Sequence, residues 1–170
     1  GDYKDSAEQA AAILHVTQIK ETLKSVSVGD YIKFGTYEQD NDLSNGQEEI
    51  EWLVLDIKDG KALVISKYAL DCKPFNTTCN AVTWETCDLR QWLNNKFMNT
   101  AFTEDEKDFI PLVTVYAESN FDTNVHVGKK TQDHIFLLSI SDAREYFTTD
   151  AQRQCTATPY ALANGSFKNE

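Results

Sequence analysis

The chain has no C-x-x-C pair, no basic cluster, only three histidines and three prolines, and no apolar run of membrane-spanning length. Each absence excludes something. Zinc ribbons and thioredoxin-like redox sites need paired cysteines, and Cys72, Cys79, Cys87 and Cys155 are not so paired. His15, His126 and His134 are scattered, so no metal site is expected from cysteine and histidine spacing. Lys and Arg number 16 against 27 Asp and Glu, a net charge of −11. Such a chain repels phosphate backbones and anionic surfaces, so nucleic acid is not an expected partner. A spanning helix needs about 20 consecutive apolar residues, so direct membrane insertion is not expected either.

What is present is an ordinary globular composition, 41% hydrophobic and 25% charged over 170 residues. The pattern divides into an N-terminal helix over 1–25 and an α+β domain over 26–170. Ala10, Ile13, Val16 or Thr17, Ile19 and Leu23 recur at roughly helical spacing, with Asp5 or Ser6 as the expected cap. "YIKFGTY", "IEWLVLDI" and "KALVISKYAL", the last leaving the sheet near Lys67, read as strands. Asp59-Gly60 between the last two is a hairpin turn signal. Residues 71–82 read as an irregular loop. Thr103 with Glu106 forms a capping box. "LVTVYA" and "HIFLLS" read as further strands, "SISDAREYF" as a helix capped by Ser139 or Ser141, and the chain beyond Asp150 as irregular. Short strands mixed with short helices, without βαβ regularity, imply an α+β fold with a small mixed or antiparallel sheet.

The stretch "TWETCDLRQWLNNKF", Thr83 to Phe97, is the densest in chemistry. Cys87 at a helix start would have a more acidic thiol. A nucleophile also needs a base within reach, and no histidine is near in sequence. The alternative outweighs it: a helix capped by Thr86, with Leu89, Trp92, Leu93 and Phe97 on one face and Trp92 as buried anchor. Arg90 is then expected to pair with a carboxylate or carbonyl, and Asn94 and Asn95 to end the helix.

Asp40, Asp42 and Ser44, with Glu51 twelfth from Asp40, superficially resemble a calcium loop. Asn45 stands where the tight turn wants glycine, and Glu51 opens an apolar strand, so a solvated loop is the expected outcome. No cofactor is expected. Loop aromatics could form a platform for a carbohydrate or a peptide. The candidate binding residues are Tyr37, Tyr68, Phe75 and Tyr160, with Arg90. Tyr116 and Phe121 are further loop aromatics. Cys72 and Cys79 share one loop, and disulfide and free thiols both stay open.

The run from "FGTYEQ" through "VTWETCDLRQWLNNKFMNTAFTEDEKDFI" to "DHIFLLSISDAREYF" resembles a bacterial domain family of unknown function. Its mark is a Trp-Leu-Asn motif, here Trp92-Leu93-Asn94, and the resemblance covers roughly residues 28–163. It implies a multidomain envelope-associated or secreted protein, with a cytoplasmic location left open. It also implies a fold similar to C-type lectins and the formylglycine-generating enzyme. "GDYKDSAEQAA" is similar to the end of a tetratricopeptide-like repeat. The resemblance carries no catalytic residues. It leads us to expect a recognition module with an unknown carbohydrate or protein ligand, ahead of a structural or assembly domain and a thiol enzyme. Family members continue past "TPYA" with more strands. An incomplete domain is therefore expected, whose open sheet edge invites self-association or docking at "HIFLLS" or "LVTVYA".

Overall fold

Asp59 and Gly60 both take positive φ, 50° and 71°, the two-residue turn whose twist matches a hairpin. The turn joins strands β2 (Glu48–Lys58) and β3 (Lys61–Ser66). Strand β1 (Tyr31–Tyr37) pairs on the other side of β2, giving an antiparallel sheet of order β1-β2-β3. In this computed structural model, residues 2–118 and 128–167 are described. The protein is α+β: besides this sheet it has a two-stranded antiparallel one, β4 (Val113–Val115) with β5 (Thr131–Asp133), and short helices.

Gly35 sets the geometry of β1. The register with β2 shifts between Lys33 and Thr36, and Gly35 sits in that bulge at φ 71°. A β-carbon there would lie 2.5 Å from Phe102 Cε1 and 2.6 Å from the Ala101 carbonyl oxygen. Only glycine lets β1 approach the helical layer this closely.

That layer is the stretch Asp88 to Ala101. It runs as α2 (Asp88–Trp92), a π-helical turn (Leu93–Phe97) and α3 (Met98–Ala101). Tyr37, Ile50, Leu70, Leu93, Phe97 and Phe102 form the centre of the core. Its aromatic rings make a chain of contacts: Tyr160 to Tyr37 at 5.9 Å, Tyr37 to Phe97 at 5.0 Å, Phe97 to Phe102 at 6.2 Å.

The N-terminal helix α1 (Asp2–Ser25) meets the domain, among the described residues, at Ile19 and His15. Ile19 is buried, and His15 Nε2 lies 3.1 Å from Glu106 Oε1 on α4 (Glu104–Lys107). Ile13 and Leu14 of the expected stripe region stay exposed. The helix already includes Asp5 and Ser6, so neither caps it.

Other expectations are corrected by competing side-chain bonds. The cap of α2 is Cys87, not Thr86, whose hydroxyl bonds within the preceding turn to Thr83. Asn94 and Asn95 do not end the helix. Their amides donate to the carbonyls of Arg90 and Gln91, and the chain continues helically to Ala101. "HIFLLS" is not a strand: Asn94 Oδ1 accepts the backbone N–H of both His134 and Ile135, which takes them out of any ladder. Pairing falls on the residues just before, β5. The chain past Asp150 is not wholly irregular, since Thr158 caps a helix, α6 (Pro159–Ala163). The Thr103–Glu106 capping box forms, and a second one starts α5 (Ile140–Tyr146) at Ser139.

Candidate functional site: an aromatic groove between sheet and helices

Strand β1 ends at Tyr37, α2 at Trp92, and α6 brings in Tyr160. These three elements enclose a groove of about 310 Å³, within the ~300–1,000 Å³ of small-ligand clefts. Tyr37, 6% exposed, is its floor. Its hydroxyl donates to Asp71 Oδ2 at 2.8 Å. Burial, and then this acceptor, push the Tyr37 phenol far above its ordinary pKa, so it stays a neutral donor. Trp92 and Tyr160 are half-buried walls.

Asp71 organises one side. Besides Tyr37 it accepts from the Cys72 N–H at 2.7 Å, Lys73 Nζ at 3.0 Å and Asn164 Nδ2 at 2.8 Å. Its acceptor positions are thus filled by the protein. Lys73 Nζ also lies 5.4 Å from the Trp92 ring centre, a cation–π contact. Lys73 and Lys96 both line the groove, with Gln47 and Thr100. Asp71 and Glu38 line it too, so two acids offset the two lysines.

Of the sequence-derived candidates, the structure brings Tyr37 and Tyr160 together here. Tyr68 packs against the core elsewhere, with Lys67 Nζ 5.2 Å from its ring centre. Phe75 is exposed in the 71–82 loop, where its carbonyl accepts the Leu89 N–H. Tyr116 is exposed beyond β4, and Phe121 lies outside the described residues.

Arg90 joins a buried polar centre. Its Nε donates to Asp133 Oδ1 at 2.6 Å, and its other nitrogens reach the carbonyls of Glu85 and Gln132. Asp133 is fully buried and also accepts from Trp84 Nε1 and the Thr131 hydroxyl. A carboxylate so surrounded holds β5 to α2. Asp71, Lys73 and Asp133 were missed in the sequence. Each is a single charged residue without a motif, and only the fold gives it partners.

Cys87 is fully buried, and its thiol donates to the Trp84 carbonyl. Asp88 turns away to accept from the Thr77 hydroxyl and N–H, which hold it below the usual carboxylate pKa. All four cysteines are free thiols, Cys72 and Cys79 included. The twelve-residue calcium reading does not form. Glu51 points from β2 to Lys67, 2.8 Å away, and Asp42 bonds to Ser44. Among the described residues no helix is long and apolar enough to cross a membrane.

A small α+β domain with an aromatic groove is the class that fold and site define. The chain belongs to the DUF6273 family, a domain of unknown function, whose model matches residues 59–166. No curated protein and no solved structure matches it. The match opens at the hairpin turn, so Asp71, Trp92 and Tyr160 fall inside it and Tyr37 outside. The groove joins both parts through the sheet.

Proposed function

We propose that this domain is a non-enzymatic recognition module of a bacterial envelope or secreted protein, and that the groove binds its ligand. One observation carries this reading: Tyr37, Lys73, Tyr160 and the helical pair Trp92 and Lys96, from four separate parts of the chain, converge on a single concave surface. Aromatic walls with a few fixed polar groups suit a carbohydrate, whose ring faces are apolar and whose hydroxyls accept and donate. Asp71 and Glu38 offset Lys73 and Lys96 in the same lining, which favours a neutral sugar over a charged one. The C-type-lectin-like resemblance of the sequence points the same way.

The test is titration of the chain with neutral and acidic oligosaccharides, followed by tryptophan fluorescence and by NMR. Binding that disappears in Trp92→Ala and weakens in Lys73→Met supports the reading. A glycan array without a ligand, together with a measured turnover, overturns it.

A second reading, an assembly domain, is favoured by α1, whose Ile13 and Leu14 are both 68% exposed. Deletion of residues 1–25 with unchanged assembly counts against it. A thiol enzyme is the weakest reading, because a nucleophile must reach its substrate and Cys87 is enclosed. Labelling of Cys87 no faster than a free thiol would dispose of it.

A further inference from the structure

Three carboxylates meet in the loop that joins β1 to β2. Glu38, Asp40 and Glu48 each offer an oxygen, all within 4.8 Å of one another. Glu38 differs from an ordinary surface acid. It is 6% exposed, and its Oε1 is enclosed without any hydrogen-bond partner. A buried carboxylate oxygen with no donor is costly. This one is placed against two further carboxylates, and none of the ion pairs among the described residues reaches the three.

We propose that Glu38, Asp40 and Glu48 bind one divalent cation of the calcium type, at the neck of the β1–β2 loop. The neck is fixed by the sheet, since Tyr37 pairs with Glu48 in the strand register. Two of the three carboxylates are oriented by the loop itself. Glu48 Oε2 accepts the N–H of Gln39 at 2.6 Å and of Asp40 at 3.3 Å. Asp40 accepts from the Asp42 N–H at 2.7 Å and from Asn45 Nδ2 at 2.8 Å. Glu38 Oε1 is left for a ligand that brings positive charge.

The donor set decides the class of ion. It contains only oxygen, which selects hard cations over zinc or copper. Calcium takes oxygens at about 2.3–2.6 Å, so two ligands on opposite sides lie up to ~5 Å apart. Magnesium, at about 2.0–2.1 Å, demands a tighter and more regular shell. Burial first, and then the charges of Glu48 and Asp40, raise the Glu38 pKa against the Asn41 backbone donor. A bound cation relieves that strain between like charges. A shared proton is the competing solution. The site differs from the twelve-residue reading in using Glu38 and Glu48 in place of Asp42, Ser44 and Glu51. It does not depend on the groove as a ligand site, although Glu38 lines both.

Calorimetric titration of the chelator-treated full chain with calcium, and separately with magnesium, tests the proposal. We expect one calcium ion per chain, at a Kd of roughly 10⁻⁴–10⁻³ M as in weak calcium modules, and weaker magnesium binding. Glu38→Gln should weaken calcium by about tenfold or more. Asp40→Asn, at an exposed position, should do the same without risk to the core. Glu49→Gln, next to the cluster but paired with Lys33, should bind as the wild type does. Absence of calcium binding by the folded wild type overturns the proposal. So does equal affinity in all three variants, which marks diffuse charge screening. So does NMR detection of a protonated Glu38 at neutral pH in saturating calcium, which identifies the shared proton instead.

Discussion

Arg90 Nε and Asp133 Oδ1 stand 2.6 Å apart, and Asp133 has no solvent exposure. This ion pair ties the helical layer to strand β5. Removing one member of a buried pair leaves an uncompensated charge, at a cost of about 3–5 kcal/mol. Arg90→Met should therefore lower stability by that order, measured by urea denaturation. The double variant Arg90→Met/Asp133→Leu should recover part of the loss, because the stranded carboxylate is gone. No difference between the single and double variants would show that Trp84 and Thr131 alone satisfy Asp133.

Gly35 offers a contrast between sterics and backbone strain. A methyl group at Gly35 meets the Phe102 ring and the Ala101 carbonyl, and the carbonyl cannot rotate away. At Gly60 the φ is the same 71°, but a β-carbon finds open space. Gly60→Ala should cost only the conformational ~1–2 kcal/mol. Gly35→Ala adds overpacking of about 1–3 kcal/mol on top. Denaturant midpoints of the two variants measure the difference directly. Equal midpoints would mean that β1 can move off the helix.

The hairpin, the Thr103–Glu106 capping box and the α+β class were legible from short-range pattern. Asp59-Gly60 fixes its own turn, and Thr103 with Glu106 lie three residues apart. The failures share a cause. Asn94 looks like a helix stop from its neighbours alone, yet its amide spends its bonds on Arg90 and on segment 134–135. "HIFLLS" has strand composition, but its first two N–H groups go to that same side chain. Tyr37 and Tyr160 were visible as aromatics. Their meeting depends on contacts across more than a hundred residues, which no window of sequence contains.

The anchor of the helical layer is a further correction with consequences. Trp92 is only half-buried, whereas Phe97 is 5% exposed and touches Tyr37, Trp92 and Phe102. Phe97→Ala should cost about 3–5 kcal/mol. Trp92→Ala should cost clearly less, and show its main effect in the groove. Thermal melts of both variants, run beside the oligosaccharide titration, separate the two roles. A larger melting shift for Trp92→Ala would restore it as the core anchor.

Glu106 predicts how the protein responds to acid. Burial alone would raise its pKa. The Thr103 N–H, His15, the Thr103 hydroxyl and the Gly35 N–H together outweigh burial and hold it below the ordinary value. A carboxyl group with a depressed folded pKa binds its proton less readily than the unfolded chain does. Its stabilisation is therefore complete above the unfolded glutamate value, about 4.3, and is lost as pH falls through the lower folded value. Glu106→Gln should be less stable than the wild type at neutral pH. The gap should close as pH drops below the unfolded value. Because Glu106 also receives His15, the same loss should loosen α1 from the domain, seen as faster amide exchange near residue 15 in the variant. Urea denaturation of both proteins across this window provides the check. A gap that stays constant with pH would show that Glu106 acts through shape and packing rather than through its charge.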